Sequence, residues 1–214
     1  MSVRIKLSIY LKSISLAGIV GAACFVTSNV SAFQTNRSFA KEVVAVESSN
    51  STKVPAAGTI EVAFSPNEGG EELVIKVINS ANRDIRMLAY SFTSVPVVQA
   101  LLNAKHRGVD IKLVVDQKNN ESQDRSGKAR AALSALSNAG VDVRTISVYA
   151  IHHDKVIIAD QQTVETGSFN YSDAAAHKNS ENVLVNWNNP GLAKVYAAHF
   201  ERNYRRSSQY KTQY

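Results

Sequence analysis

Residues 153–170, HDKVIIADQQTVETGSFN, contain two apolar runs on either side of a polar triplet. The runs Lys155–Ala159 and 164–167 have the length and the β-branched content of strands. The triplet Asp160-Gln161-Gln162 between them is typical of a tight turn. This stretch therefore predicts an antiparallel hairpin.

Four polar side chains flank this predicted hairpin. Residues two apart on a strand share a face, so we expect His153 to project beside Lys155 and Ser168 beside Asn170. If the two segments pair, an imidazole, an ammonium, a hydroxyl and an amide converge. Such a group of side chains offers donors for phosphate oxygens and a nucleophile next to them.

Outward from the hairpin, strand patterns alternate with helix patterns from residue 59 onward. The additional predicted strands are 60–64, 85–91, 111–116, 141–146 and 181–185, and the predicted helices are 71–81, 96–107, 126–139 and 192–204. This order predicts an α/β sandwich in which a mixed central β-sheet is flanked by helices on both faces. The segment 33–58 is rich in Ser, Thr, Asn and Ala and is interpreted as a flexible lead-in.

The spacing H-x-K-x4-D-x6-G-S-x-N resembles the HKD signature of the phospholipase D superfamily. The resemblance holds at every fixed position: His153, Lys155, Asp160, Gly167, Ser168 and Asn170. From 59 to 204 the chain resembles the small bacterial endonucleases of that superfamily that act without metal ions. The resemblance implies a phospholipase D-like sandwich, with a catalytic domain at 59–206 and a C-terminal tail at 207–214.

The resemblance also implies a role for each site residue. His153 attacks phosphorus and forms a phosphohistidine intermediate, and Lys155 and Asn170 hold the non-bridging oxygens with support from Ser168. Glu181 is the expected acidic partner that orients the histidine, as a carboxylate does in a catalytic triad. The catalytic set is therefore His153, Lys155 and Glu181.

Two motif positions are expected to be structural. Asp160 lies at the predicted turn and outside the phosphate-binding group, and Gly167 precedes the motif serine. We expect no metal and no cofactor. His152 and His153 are adjacent and would point to opposite faces of a strand, and no other His, Cys or carboxylate has a familiar ligand spacing.

Only one HKD motif is present, and the sequence shows no internal repeat. Large members of the superfamily carry two motifs, whose histidines share one site. We therefore expect a homodimer with a composite active site, in which the partner's His153 protonates the leaving oxygen.

The first 32 residues have the layout of a secretory signal. Three basic residues and no acid precede the apolar run 14–26, and Val30-Ser31-Ala32 supplies small residues before a cut after Ala32. An uncleaved membrane anchor and lipidation at Cys24 are the alternatives. We expect cleavage, a periplasmic or secreted product and no stable membrane insertion after it.

Charge is weak evidence about the partner. The formal net charge of the chain is +6 and falls to +3 once the signal is removed. Two groups of basic residues could each bind a nucleic-acid backbone or simply form a solvated surface. The first group is Lys118, Arg125, Lys128 and Arg130, and the second is Arg202, Arg205, Arg206 and Lys211. The side chains of Tyr90 and Trp187 also have two interpretations: they could stack on nucleobases, or they could pack in the core or at an interface.

The leading hypothesis is an exported, metal-independent phosphodiesterase that cuts DNA endonucleolytically with little sequence preference. Cleavage of RNA, and the choice between single and double strands, stay open. The first alternative is a phospholipase D or phosphatidyl transferase, because the same phosphate chemistry serves lipid phosphodiesters. The second is a nucleic-acid-binding protein whose site is idle.

Overall fold

The computed structural model describes residues 51–212. The predicted signal peptide 1–32, its cut after Ala32, Cys24 and the part 33–50 of the lead-in lie outside the described residues. Residues 213–214 of the predicted tail do so as well. No helix in the part of the chain described here is long and apolar enough to cross a membrane.

Strands and helices alternate through the described residues, as the sequence predicts. The strands are β1 (Thr59–Ser65), β2 (Asp84–Ala89), β3 (Asp110–Asp116), β4 (Asp142–Ile146), β5 (Lys155–Ala159), β6 (Thr163–Gly167), β7 (Glu181–Trp187) and β8 (Ser208–Gln209). The α-helices are α1 (Gly70–Ser80), α2 (Val95–His106), α3 (Lys128–Asn138), α4 (Asp173–His177) and α5 (Pro190–Arg206).

All eight strands belong to one sheet with the order β1-β7-β6-β5-β2-β3-β4-β8. The strands β2, β3 and β4 run parallel, and every other neighbouring pair is antiparallel. The sheet is therefore mixed, as predicted. The predicted hairpin is also confirmed, because β5 and β6 pair antiparallel around a turn in which Asp160 and Gln161 adopt positive φ angles of 52° and 56°.

Helices cover the two faces of the sheet to different extents. On the closed face, α1, α2 and α3 pack on alternate strand residues such as Met87, Leu113 and Val185. On the opposite face, which we call the open face, α5 packs on the intervening residues and inserts Phe200. Helices on both faces confirm the predicted sandwich. Three helices, α2, α4 and α5, begin at a residue whose side chain caps them; at α5, Asn189 Oδ1 accepts from the N–H of Leu192 at 3.0 Å.

The open face is left without a helix over β1 and β7. The helix α5 packs against β2, β4, β5 and β6, and four large apolar side chains of β1 and β7 stay exposed. They are Ile60, Val62, Phe64 and Leu184, which are 62%, 55%, 50% and 36% exposed. Because Val62 pairs with Leu184 and Phe64 with Asn182, these side chains form one continuous apolar patch, the β1/β7 patch.

The structure adds three short elements that the sequence patterns do not predict. A π-helical turn at Lys118–Ser122 lies in the predicted polar loop, and α4 follows the motif. At the C-terminus, β8 pairs with β4, and Tyr210 is buried with its hydroxyl 3.1 Å from Ser134 Oγ. The segment 207–214, predicted as a tail, thus begins as part of the sheet.

Candidate active site

The candidate site lies at one edge of the sheet, where three antiparallel strands meet. Because β5 and β6 form a hairpin, the start of β5 lies beside the end of β6, and the start of β7 lies on the other side of that end. His153 precedes β5 by two residues, Ser168 follows β6 directly, and Glu181 opens β7. Tyr90 follows β2 at the same edge, since Ala89 pairs with Lys155.

The strands are shorter than the motif, which corrects one prediction. Strand pairing begins only at Lys155 and ends at Gly167, so His153, Ser168 and Asn170 lie on the adjoining loops. Strand alternation therefore does not place His153 beside Lys155. Instead, the ammonium of Lys155 donates to the carbonyl oxygen of His153 at 2.9 Å, which ties the loop to the strand.

Lys155 is a buried cation at this edge. Its residue is only 5% exposed, and its Nζ lies 5.2 Å from the centre of the Tyr90 ring. Burial lowers the pKa of the Lys155 ammonium, while the charges of Glu181 and Asp154 act in the opposite direction. A bound anion would favour the charged form of Lys155 further, so this position suits a phosphate oxygen.

Glu181 contacts Ser168 and not the imidazole of His153. Its Oε2 accepts from Ser168 Oγ at 2.6 Å, and its Oε1 accepts from Asn179 Nδ2 at 3.0 Å. The Ser168 hydroxyl in turn accepts from the backbone N–H of Asn182 at 3.1 Å. The expected carboxylate–imidazole pair is thus replaced, in the described chain, by a carboxylate that fixes the motif serine and acts electrostatically on Lys155.

Gly167 is required by the close approach of β6 and β7. A Cβ atom at this position would lie 2.1 Å from the carbonyl oxygen of Asn182, far inside the contact distance of any carbon and oxygen. Any other residue here would separate Ser168 from Glu181. Steric exclusion of a Cβ atom therefore explains why the motif has a glycine at this position.

His153 is exposed to solvent, and its ring rests against Tyr90. The ring centres are 4.7 Å apart with the planes tilted by 59°. Tyr90 therefore contacts both the imidazole and Lys155, which neither interpretation of Tyr90 from the sequence anticipates. Trp187 lies at the other end of β7, where its Nε1 donates to Glu61 at 2.8 Å, so it is not part of this site.

Two polar residues, the last of β3 and one in the turn that follows it, hold backbone groups near the histidine. Asp116 Oδ2 accepts from the N–H of His152 at 2.8 Å. Asn120, fully buried in the π-helical turn, donates to the carbonyl of Tyr90 at 2.6 Å and accepts from the N–H of Phe92 at 3.0 Å. These bonds position the segment that carries His153 and its aromatic neighbour, and the sequence gives no spacing signal for them.

Asn170 and Asp160 take different positions relative to the site. Asn170 lies two residues beyond Ser168 and is half-buried, and its Oδ1 atom is buried without a hydrogen-bond partner among the described residues. Asp160 lies in the β5–β6 turn, where its carboxylate accepts from the backbone N–H groups of residues 82–84 at 2.8–3.0 Å. Although burial alone would raise the pKa of Asp160, these bonds lower it.

A second histidine, on α5, lies near the site. His199 Nε2 on α5 lies 2.9 Å from Asp154 Oδ2, and the same oxygen lies 3.6 Å from Nδ1 of the buried His152. This network joins residues 45 positions apart in the chain, so only the tertiary fold reveals it. Within residues 51–212, no three His, Cys, Asp or Glu side chains form a group that could hold a metal ion.

The fold and the site together define a phosphodiesterase of the phospholipase D superfamily, and comparison with known proteins shows that the chain belongs to that superfamily. The family described as "Cardiolipin synthase, PLD-like domain" matches residues 74–204. The structure of Nuc from Salmonella typhimurium, a phospholipase D family member, is 44% identical, with a TM-score of 0.69. The match covers 72% of this chain and 98% of Nuc.

The curated relatives of this chain are named after lipid substrates. A phospholipase D from Rickettsia conorii is 31% identical over 176 residues, which are 80% of this chain and 84% of the relative. A mitochondrial cardiolipin hydrolase from Xenopus laevis is 29% identical over 122 residues, which are 57% of this chain and 55% of the relative. The common element of these proteins is phosphodiester chemistry.

Proposed function

We propose that the protein is an exported, metal-independent endonuclease that cuts DNA with little sequence preference through a phosphohistidine on His153. The observation that carries the proposal is the arrangement at the sheet edge. An exposed imidazole stands beside a buried ammonium, Lys155, and beside a serine held by Glu181. A phosphodiester that enters this edge meets a nucleophile and a positive charge together.

The reaction has two steps. A nitrogen of the His153 imidazole attacks phosphorus, the bond from phosphorus to the leaving oxygen breaks, and that oxygen takes a proton from an acid. Water then attacks the phosphorus and gives a proton back to the group that acted as acid, the phosphorus–nitrogen bond breaks, and the free imidazole is restored. The products are a phosphomonoester and an alcohol, so one water molecule is consumed for each bond cut.

The side chains at the edge have separate duties in these steps. Lys155 neutralises a non-bridging oxygen, and phosphate binding offsets the effect of burial on the ammonium. In this proposal Asn170 orders the same group by donating from its amide nitrogen. Ser168 supports the phosphate oxygens, with Glu181 holding its hydroxyl in position.

The acid of the first step is the partner's His153, and the protein acts as a homodimer with a composite site. One motif supplies one nucleophilic histidine, so a second copy must supply the other. The β1/β7 patch supports this arrangement. It is apolar and adjoins the site, because Asn182 pairs with Phe64 and also donates to Ser168 Oγ at 3.2 Å.

DNA is favoured over lipid on two grounds. The chain resembles the small endonucleases of the superfamily from residue 59 to 204, and its match with Nuc extends over 98% of that protein. RNA is a further substrate of the same chemistry. The lipid alternative has its own support, since the curated relatives are a phospholipase D and a cardiolipin hydrolase.

A parallel assay of two substrates tests the proposal. Plasmid DNA and phosphatidylcholine vesicles are each incubated with the protein in excess EDTA, and products are measured on gels and by choline release. We expect nicked and linear plasmid without choline release. Lipid turnover alone establishes the alternative, turnover of neither substrate indicates a binding protein, and loss of DNA cleavage in EDTA contradicts the metal-independent mechanism.

Export is tested by the N-terminus of the processed protein. The basic, apolar and small-residue segments of 1–32 support cleavage after Ala32. Sequencing of the protein from the extracytoplasmic fraction should begin at Phe33. A mature chain that begins with a lipid-modified Cys24, or an intact chain in the membrane fraction, would refute the proposed processing.

A further inference from the structure

A cavity of about 310 Å³ opens next to the nucleophile and is not used by the reaction described above. His153 forms part of its wall, together with His152, Asp154, His199, Asn203 and Tyr149. The cavity is therefore continuous with the site. A substrate whose phosphate lies against His153 extends into it or past it.

Polar contacts already fix the inner wall of this cavity. Asp154 Oδ2 lies 2.9 Å from His199 Nε2 and 3.6 Å from His152 Nδ1, so its negative charge faces two imidazoles. Arg202 Nη2 lies 3.1 Å from His199 Nδ1. Because the arginine can only donate, His199 accepts at Nδ1 and donates from Nε2 to the carboxylate.

Two basic side chains lie beside the cavity, on the helix that supplies part of its wall. His199, Arg202, Asn203 and Arg206 are spaced i, i+3, i+4 and i+7 and lie on one face of α5, which we call the α5 stripe. Arg206 Nη1 lies 3.2 Å from the Tyr149 hydroxyl. Both arginines are exposed, and each has further N–H groups beyond the one contact. Two guanidinium groups thus form a row that leads away from His153.

An aromatic surface lies beside this row. The Tyr149 ring is stacked on His152, with the ring centres 6.3 Å apart and the planes 20° from parallel. The residue is still 40% exposed, and Ile151 beside it is 55% exposed. A flat, partly exposed ring next to arginines is a surface on which a nucleobase can stack.

We propose that this cavity and the α5 stripe bind the nucleotide adjacent to the scissile phosphate. Arg202 and Arg206 bind the next phosphate of the strand, and Tyr149 stacks on the base. The inference rests on the proposed DNA cleavage and names the residues that recognise a strand. Two arginines in a row suit the repeated phosphates of a polynucleotide better than the headgroup of a single lipid.

The experiment compares a strand with a minimal diester. The double variant Arg202→Gln/Arg206→Gln is assayed on a single-stranded oligonucleotide and on bis(4-nitrophenyl) phosphate, which has no neighbouring phosphate. We expect the KM for the oligonucleotide to rise about tenfold or more, and kcat/KM to fall at least tenfold further on the oligonucleotide than on the small diester. The dependence of log Kd on log salt should flatten by about 0.7, because the two arginines neutralise one phosphate and about 0.7 is lost for each phosphate neutralised on a single strand.

The matched control is Lys194→Gln/Arg205→Gln, which removes the same charge from exposed positions of α5 outside the stripe. It should leave the ratio of the two activities as in the wild type. Tyr149→Leu tests the base: its effect on KM should be about tenfold on a normal strand and absent on an abasic one. Thermal melting of each variant verifies folding.

Several outcomes overturn the inference. Equal losses on both substrates would show that the arginines act in the chemical step or in the fold. Equal effects of the two double variants would show that only the net charge of α5 matters, and not the positions of Arg202 and Arg206. Weakened binding to anionic phospholipid vesicles with unchanged oligonucleotide binding would assign the stripe to a membrane surface. If the wild type cuts the small diester but no DNA, the proposed function itself fails. This outcome is seen in the wild type alone and is therefore distinguishable from a failure of the inference about the α5 stripe.

Discussion

The closed and open faces of the sheet are built from the same alternating strands but differ in what covers them. On the closed face three helices seal a core that includes Met87, Leu113 and Val185. On the open face α5 covers the middle strands and leaves the β1/β7 patch uncovered. The catalytic edge, the α5 stripe and the patch all adjoin the open face. The closed face therefore maintains the fold, and the open face is available to substrate and partner.

The largest effect is expected at the exposed histidine of the site. His153→Ala removes the proposed nucleophile and should lower kcat on DNA by at least roughly 10⁴-fold, while the melting temperature stays close to the wild type because the side chain is exposed. His106→Ala on α2 is the matched control and should retain full turnover. Substantial cleavage by His153→Ala would exclude the phosphohistidine mechanism.

A pair of leucine truncations measures the difference between the faces directly. Leu101 on α2 is fully buried on the closed face, and Leu184 is 36% exposed on the open face. Leu101→Ala should lower the free energy of unfolding by about 2–5 kcal/mol, whereas Leu184→Ala should cost less than about 1 kcal/mol in dilute protein. Urea denaturation gives both values, and equal losses would contradict the assignment of the faces.

The patch itself is tested by introducing a charge. If a second copy covers the β1/β7 patch, Val62→Asp places a carboxylate in an apolar interface and should weaken the dimer by at least about 100-fold. Activity should fall with it, because the composite site is lost. Sedimentation velocity and the dependence of specific activity on protein concentration measure both effects.

Val95→Asp is the control for this variant. Val95 is 76% exposed at the start of α2, which covers the closed face. Its substitution therefore replaces an exposed valine with the same charged residue, but at a position outside the β1/β7 patch. It should leave both the dimer and the activity intact. A fully active monomer from Val62→Asp would refute the shared site.

The sequence predicts most of the sheet edge because its signals are local. The hairpin follows from two apolar runs and a turn, and the motif places the glycine at 167, although the clash that requires a glycine there is with Asn182 on β7. The contact of Glu181 with Ser168 was not predicted, because no spacing signal links the two side chains and only the backbone geometry brings them together.

The residues that the sequence does not reveal act across long separations. Asn120 holds Tyr90 from 30 positions away, and His199 reaches Asp154 across 45. No periodicity or spacing encodes such pairs, because they arise when β3, the loop before β5 and α5 pack together. The apolar patch was hidden for the same reason: Val62 and Leu184 look like ordinary strand residues until α5 is found to stop short of them.

The last prediction concerns a carboxyl group on the closed face. Glu165 is fully buried there and accepts from the Tyr171 hydroxyl at 2.8 Å. Burial raises the pKa of Glu165 to about 8, although the bond from Tyr171 acts in the opposite direction. The folded protein therefore keeps a proton on Glu165 that the unfolded chain releases above an ordinary pKa of 4.5.

The free energy of unfolding should accordingly be highest below pH 4.5 with respect to this group. It should fall by about 1.4 kcal/mol per pH unit as the pH rises toward 8, and become level above it. Glu165→Gln carries no such proton, so its stability relative to the wild type should increase across this range. Tyr171→Phe removes a bond that lowers the pKa of Glu165 and should extend the decline to higher pH. Urea denaturation at pH 5 to 8 gives the free energy of unfolding of both proteins. If this free energy changes with pH in the same way in the wild type and in Glu165→Gln, Glu165 is ionised in the fold. The closed face would then hold an unbalanced charge in the part of the molecule that its helices seal most completely.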